Sequence, residues 1–137
     1  MGTEREEKVM ATTKIRANKI ATVIVPVSDQ DRAIEFYVDK LGFEKRVDLP
    51  FGNGLRWIEV GLADEATTIA LAPPPEGTAT GSRETGISLQ TSDIDAYHAQ
   101  LKGAGVDVDS AVSRLGEPVP PMFWLRDPEG NVLMVVE

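Results

Sequence analysis

Histidine and acidic residues are the side chains of this sequence that could bind a metal ion or transfer a proton. The 137 residues include one histidine, His98, and no cysteine, which excludes disulfides, thiolate metal sites and every site that needs two imidazoles. A metal ion would therefore need mostly oxygen ligands. Glu59, His98 and Glu137 are the candidates for such a site, and Glu59 is also the candidate base for a metal-independent reaction.

The two tryptophans are candidates for binding a planar ligand. Trp57 and Trp124 occupy comparable predicted strands in the two halves of the chain, so they could form stacking walls, with Glu59 as the counter-charge for a cationic ligand. Core packing is the alternative role for an aromatic side chain in a sheet. Arg56 and Arg126 could bind an anionic ligand, or they could extend into solvent at strand ends.

Strand and helix patterns place these residues in two similar halves. Each half predicts a strand, a helix and three further strands. Ser28-Asp29 and Ser92-Asp93 are helix N-cap signals, and Asp127-Pro-Glu-Gly is typical of a type I turn between the last two strands. The predicted strands are 20–27, 43–47, 55–61 and 67–72 in the first half and 86–91, 106–109, 122–126 and 132–136 in the second. Helical spacing runs over 33–41 and 94–101.

The two halves align at an offset of 64 residues, which indicates an internal duplication. Thr22 aligns with Gly86, and Ala70 aligns with Met134. A four-stranded sheet covered by one helix leaves its other face open, so two such modules should pair around a shared interior that holds a ligand. The predicted parts are a module over 20–72, a proline-rich linker over 73–85 and a module over 86–137.

Strand alternation assigns one face of each sheet to this interior. The face that contains the aligned positions also contains Ile24, Thr68, Ala72, Ser88, Gln90, Val132 and Val136. The opposite face is apolar and should pack against the helices, through Ala21, Val23, Val25, Ile87, Leu89, Leu133 and Val135. The inward side chains are small and mixed, which predicts a roomy pocket that recognises its ligand by shape and a few hydrogen bonds. The predicted ligand-binding residues are Thr22, Trp57, Glu59, Ala70, Gly86, Ser88, Gln90, Trp124 and Met134.

Several segments resemble a known superfamily. Val23-Ile-Val-Pro-Val-Ser-Asp, Ala33-Ile-Glu-Phe-Tyr and Lys40-Leu-Gly-Phe resemble the first-module signature of the vicinal oxygen chelate superfamily, and Asp127-Pro-Glu-Gly-Asn resembles its last hairpin. This superfamily includes glyoxalase I, extradiol dioxygenases, fosfomycin-resistance enzymes and bleomycin-resistance proteins. The resemblance implies an α+β fold in which two tandem βαβββ modules form a curved mixed sheet around a central cavity. It leaves the chemistry open, because the superfamily contains isomerases, oxygenases, transferases and pure binding proteins.

The resemblance also implies that the usual metal ligands are missing. Metal-using members place His, Gln or Glu at one position on the first and last strands of each module, and the equivalent positions here are Thr22, Ala70, Gly86 and Met134. Threonine is a poor ligand for a divalent ion, alanine and glycine side chains offer no donor, and methionine suits only soft ions. Without the metal ion, the Lewis-acid chemistry of the family would be lost.

Composition limits the partners and the compartment. The formal net charge is −8, and an acidic protein repels phosphate backbones and anionic lipid, so we expect neither nucleic acid nor a membrane as partner. The same charge favours a cationic ligand, or it serves only solubility. No segment approaches the roughly 20 apolar residues of a membrane span, and the polar opening lacks a secretory signal, so we expect a cytoplasmic protein. Residues 1–19 predict a flexible leader.

Together these features predict a metal-free protein, without a cofactor, that binds a small cationic or aromatic molecule between its modules. A homodimer is expected because open sheet edges favour association. The alternative is an enzyme, either a glyoxalase-like lyase or dioxygenase with a relocated divalent metal, or an isomerase that uses Glu59 as base. A third alternative is an interaction module with a closed pocket. His98 lies on a predicted helix, which favours a place outside the interior.

Overall fold

The computed structural model describes residues 14–77, 80–81 and 83–137. The first module contains β1 (Thr22–Pro26), α1 (Gln30–Ile34) with a π-helical continuation (Glu35–Lys40), β2 (Glu44–Pro50), β3 (Arg56–Gly61) and β4 (Thr68–Ala72). The second module contains β5 (Glu84–Gln90), α2 (Ile94–Gly103), β6 (Asp107–Val108), β7 (Met122–Arg126) and β8 (Val132–Val136). The predicted α+β fold of two βαβββ modules in tandem is confirmed.

Each module forms one mixed sheet whose first and last strands are parallel. The strand orders are β1-β4-β3-β2 and β5-β8-β7-β6, and the pairs other than β1-β4 and β5-β8 are antiparallel. One helix covers one face of each sheet and leaves the other face open. We name these the first open face, with the outward side chains of β1, β3 and β4, and the second open face, with those of β5, β7 and β8.

An aspartate caps the N-terminus of each helix, as the N-cap signals predict. The Asp29 carboxylate accepts a hydrogen bond from the backbone N–H of Arg32 (3.1 Å), and the Asp93 carboxylate accepts one from that of Ala96 (3.1 Å). Each such cap stabilises a helix by about 1 kcal/mol. The first helix differs from the prediction in its second half, because it widens there into a π-helix. Apolar spacing over six residues does not distinguish this wider turn from an α-helix.

Two β-bulges interrupt the regular pairing. One lies between Lys45 and Val47 in β2, where Arg46 is the extra residue, and the other lies between Glu84 and Ser88 in β5. Gly86 lies inside the second bulge with φ of 75°, a conformation that glycine adopts at low cost. β5 begins at Glu84, two residues before the predicted strand, because Glu84 pairs with Val132 ahead of the bulge.

The helical sides of both modules share one hydrophobic core. The predicted inner positions Val25, Leu133 and Val135 are fully buried. Ala21 was assigned to the same face, but it lies before β1 and is exposed, so that assignment is wrong. Since the core joins the helical sides, the open faces of the two sheets lie outside it.

A buried polar network crosses the junction between the modules. The Tyr37 hydroxyl donates a hydrogen bond to Asp127 Oδ2 (2.8 Å), and Asn131 Nδ2 donates to the same oxygen (2.9 Å) and to the carbonyl of Pro26 (3.1 Å). Burial, together with the adjacent Asp127 carboxylate, raises the pKa of Tyr37. The hydroxyl therefore stays protonated and acts as a permanent donor between the modules.

Parts of the predicted leader and of the predicted linker lie outside the residues that the structure describes. Of the predicted leader over 1–19, residues 1–13 lie outside them, and residues 14–19 are exposed and form neither helix nor strand. Of the predicted linker over 73–85, residues 78, 79 and 82 also lie outside them. In the part of the chain that the structure describes, no helix is long and apolar enough to cross a membrane.

Candidate functional site

The first open face brings four of the predicted ligand-binding residues together. Thr22 on β1 lies beside Thr68 on β4, and Glu59 on β3 lies beside Ala70 on β4. Trp57 precedes Glu59 by two residues on β3, so both side chains point to the same side of the sheet. The strict alternation of β-strands is what allowed this set to be found from the sequence.

A chain of hydrogen bonds links these side chains. The Trp57 indole donates from Nε1 to Glu59 Oε2 (2.7 Å), and the Thr68 hydroxyl donates to Glu59 Oε1 (2.7 Å). The Thr22 hydroxyl lies 3.0 Å from that of Thr68. Each carboxylate oxygen of Glu59 therefore has one protein donor and still has lone pairs available to a ligand.

These hydrogen bonds favour the ionised form of Glu59. The Trp57 indole and the Thr68 hydroxyl lower the pKa of the carboxyl group, against a smaller opposing effect of burial. A general base works best when its pKa lies near the working pH. Glu59 is thus placed as a fixed negative charge beside an aromatic ring, and it is poorly suited to accept a proton from a substrate.

The second open face carries the other predicted residues. Ser88 on β5 and Trp124 on β7 lie on either side of Met134 on β8. Gln90 follows two residues after Ser88, and both are exposed. Gly86 contributes only backbone to this face, at the bulge in β5.

The two tryptophans lie on corresponding strands but at different positions. Ala70 and Met134 align in the duplication, and their partners on the next strand are Glu59 and Trp124. Trp124 is therefore the counterpart of Glu59. Trp57 lies two residues before Glu59 on β3. One open face presents a carboxylate where the other presents an indole.

A single chain leaves much of these faces uncovered. Ile24, in the row of Ala70 and Glu59, is 57% exposed, and Ser88 and Gln90 are exposed on the second face. The enclosed ligand space that the sequence predicts thus needs a further surface in addition to these faces.

The equivalent positions of the family's metal ligands do not fit a divalent ion. They are occupied by Thr22, Ala70, Gly86 and Met134, of which only the threonine side chain offers an oxygen, and this oxygen lies within 3.2 Å of the carbonyl of Thr68. Divalent ions of this family need several imidazole or carboxylate ligands that converge.

The relocated metal site that the sequence allows is also not assembled. His98 Nε2 lies 2.7 Å from the carbonyl of Asp109, and Glu137 accepts a hydrogen bond from the backbone N–H of Ile94 (3.1 Å) at the start of α2. Glu59 is held on the first open face instead. Within 14–77, 80–81 and 83–137, no group of three His, Asp or Glu side chains could hold a metal ion.

Both strand-end arginines form ion pairs with carboxylates of the protein. Arg56 forms ion pairs with Asp31 (2.7 Å) and Asp48 (3.0 Å), and its hydrogen bonds lower the pKa of Asp48 to about 2. Arg126 is held in the same way by Asp107 (3.0 Å) and Asp109 (2.9 Å). Each guanidinium is thus paired with two carboxylates of its own module.

Sequence reasoning missed two residues at the edge of the first open face. The Arg46 guanidinium donates to the carbonyls of Leu62 and Glu65 and lies where a Cβ of Gly61 would point, on the side of Glu59. Phe51 packs edge-on against Trp57, with ring centroids 6.4 Å apart. Arg46 lies in a bulge and Phe51 in a turn, where alternation no longer predicts the face.

Comparison with known proteins gives one consistent family. The sequence profile of the Glyoxalase/Bleomycin resistance protein/Dioxygenase superfamily matches residues 19–135. The chain is 33% identical over 128 residues to the uncharacterized protein YurT of Bacillus subtilis (strain 168), covering 87% of this chain and 98% of YurT.

Two solved structures are similar in both sequence and fold. One is TnmS3, an antibiotic binding protein from Streptomyces sp. CB03234, which is 32% identical with a TM-score of 0.78, covering 90% of this chain and 98% of TnmS3. The other is a member of the same superfamily from Sphaerobacter thermophilus DSM 20745, which is 32% identical with a TM-score of 0.81, covering 90% of this chain and 99% of that protein.

Proposed function

Because this chain belongs to the glyoxalase/bleomycin resistance protein/dioxygenase superfamily, we propose that it binds a small aromatic or cationic molecule on its open faces without the metal ion of the family. The observation that carries the proposal is the arrangement on the first open face, where Trp57 and Thr68 hold the Glu59 carboxylate ionised beside an indole ring. A planar cation could stack on the indole and donate to the carboxylate.

The similar structures and the charge support this class of ligand. TnmS3, an antibiotic binding protein, shares 32% of its residues with this chain over nearly the full length of both. The net charge of −8 would also draw a cationic molecule toward the protein. Together with Trp124 on the second open face, Trp57 offers aromatic surface in both modules.

We further propose that two copies associate through the open faces. Ile24, Leu49 and Phe51 are 57%, 61% and 54% exposed on or beside the first open face. Apolar side chains that cluster in this way on a surface are typical of an interface. A second copy would supply the surface that one chain lacks and would enclose the ligand between modules.

An enzyme of the same family is the rival function. It would need either a metal ion or a base, but the metal positions lack ligands and the pKa of Glu59 is lowered. Elemental analysis of protein purified without chelator separates the two functions. We expect no stoichiometric nickel, zinc or iron, and finding one of them would favour the enzyme.

Calorimetric titration of the Glu59→Gln variant tests the proposed binding. Loss of the carboxylate should lower the affinity for a cationic aromatic ligand, such as metal-free bleomycin, by about tenfold. This is the effect of one charge-assisted hydrogen bond. A neutral aromatic compound should bind nearly as before. Asp39→Asn is the matched control, because Asp39 is an exposed carboxylate on the π-helical segment. Equal effects of both substitutions, or no binding by the unmodified protein, would contradict the proposal.

A further inference from the structure

A cleft separate from the open faces lies at the module junction, beside the first helix. It has a volume of about 320 Å³ and lies between the first helix and the segments that contain Val106 and Arg126 of the second module. This volume is near the lower end of the range for small-molecule sites. None of its lining residues belongs to the open faces described above, apart from the edge residue Arg126 at the end of β7.

Two cations and one aromatic ring from the first helix line this cleft. Arg32, Phe36 and Lys40 follow one another at intervals of four residues along this helix, and all three line the cleft. Lys40 Nζ donates to the carbonyl of Ala104 (3.1 Å) across the cleft, which fixes the ammonium group and leaves two of its protons available. Among the residues that the structure describes, the Arg32 guanidinium makes no ion pair.

Two of the three carboxylates in the cleft already have hydrogen-bond donors within the protein. Asp127 is 5% exposed and accepts hydrogen bonds from the Tyr37 hydroxyl and the Asn131 amide. Asp107 is paired with Arg126 at 3.0 Å. Among the described residues, the hydrogen-bonding groups that remain in the cleft are the Arg32 guanidinium and two Lys40 protons as donors, and the Glu35 carboxylate as acceptor.

The floor of the cleft is apolar. Phe36 is buried at 5% exposure, Val106 is buried at 6%, and Pro128 completes this surface beside them. A flat hydrocarbon ring could lie on this floor while an attached anionic group reaches the two cations at the rim.

The geometry points to a second binding site for a small organic anion, a carboxylate or phosphate on a flat apolar body. Its ligand contacts both modules, because Arg32 and Lys40 belong to the first and Val106 and Pro128 to the second. Binding therefore stabilises the junction between the modules and raises the unfolding temperature. This site does not depend on the proposed function of the open faces.

Amide chemical shifts of isotope-labelled protein, titrated with phenyl phosphate, locate the binding. We expect saturable shifts at Gly105 to Asp107 and at Asp127 and Glu129. Phenol, which lacks the charge, and inorganic phosphate, which lacks the ring, should each bind at least about tenfold more weakly, because each loses one of the two contacts.

Charge variants test the roles of the two cations. The double variant Arg32→Gln, Lys40→Gln should lower the affinity for phenyl phosphate by about tenfold or more. The double variant Lys14→Gln, Lys19→Gln removes the same charge from exposed positions before β1 and should leave the affinity unchanged. Glu35→Gln should strengthen binding, because the nearby negative charge is removed.

Three results would overturn the inference. The first is the absence of shifts at the cleft at millimolar phenyl phosphate. The second is an equal loss of affinity in the two double variants, which would indicate unspecific attraction of an anion. The third is a set of shifts confined to the open faces, at Thr22, Thr68 and Ser88, which would assign the anion to the other site.

Discussion

Glu59 illustrates how hydrogen bonds decide the role of a carboxylate. Two donors, the Trp57 indole and the Thr68 hydroxyl, lie 2.7 Å from its two oxygens. They lower the pKa of the carboxyl group below its ordinary value of 4.5. A carboxylate that stays ionised can bind a cationic ligand. At the scale of single residues, the proposed function depends on this property of Glu59.

The pH dependence of ligand binding should report this shift. Affinity for a cationic ligand is full while Glu59 is ionised and falls as the pH drops through its lowered pKa. In Thr68→Val the pKa of Glu59 rises toward its ordinary value, so the fall should begin at higher pH. Affinity measured against pH for this variant and for Thr67→Val, the adjacent control, checks the expectation. Identical profiles for both variants would show that the Thr68 hydroxyl has no such effect.

Which side chains share the open faces followed from the sequence, but their bonding did not. Alternation along a strand has a fixed period of two, so the outward positions of Thr22, Ala70 and Met134 could be predicted. The hydrogen bonds at Glu59 depend on rotamers and on neighbouring strands. Arg46 could not be assigned to a face because it lies in a bulge.

At the scale of secondary-structure elements, a hydrogen bond from one buried hydroxyl connects the first helix to the last hairpin. The π-helical segment carries Tyr37, whose hydroxyl donates to Asp127 at 2.8 Å. On the second helix, Tyr97 donates to the carbonyl of Leu41 at 3.1 Å. The acceptor is a buried carboxylate in the first case and a neutral carbonyl in the second, so the two tyrosines provide a matched comparison.

Replacing each tyrosine by phenylalanine should have unequal effects on stability. We expect Tyr37→Phe to lower the free energy of unfolding by about 1.5–3 kcal/mol and Tyr97→Phe by about 0.5–1.5 kcal/mol, because hydrogen bonds to charged groups are the stronger ones. The edge-on packing of Tyr37 against Phe36, with centroids 5.2 Å apart, is kept in the variant. Urea denaturation of both variants measures the difference. A smaller loss for Tyr37→Phe than for Tyr97→Phe would contradict this account of the junction.

Cap signals and apolar spacing predicted nearly all elements, since those patterns are local. The junction network could not be predicted, because Tyr37 and Asp127 are 90 residues apart and meet only through the tertiary fold. The π-helical turn escaped prediction for another reason, because it changes the hydrogen bonding of the backbone with little change in the apolar pattern.

At the scale of the whole molecule, exposed apolar side chains on the open faces should drive association. Sedimentation should give a mass about twice the 14.9 kDa of one chain. Ile24→Glu places a charge on the first open face and should shift the protein toward monomer. Ile15→Glu is the control, because Ile15 is exposed and lies outside the sheets. A monomeric unmodified protein, or dissociation caused equally by both substitutions, would exclude an interface on this face.

The fluorescence of the two tryptophans tests the central claim most directly, because each module carries one of them on its open face. Chelator-treated protein is titrated with metal-free bleomycin, and the emission of Trp57→Phe and Trp124→Phe assigns the signal to each face. The account predicts a saturable change of emission with the same dissociation constant before and after removal of metal ions. Emission that does not respond to the ligand, or a response that requires an added divalent ion, would contradict metal-free binding on the open faces.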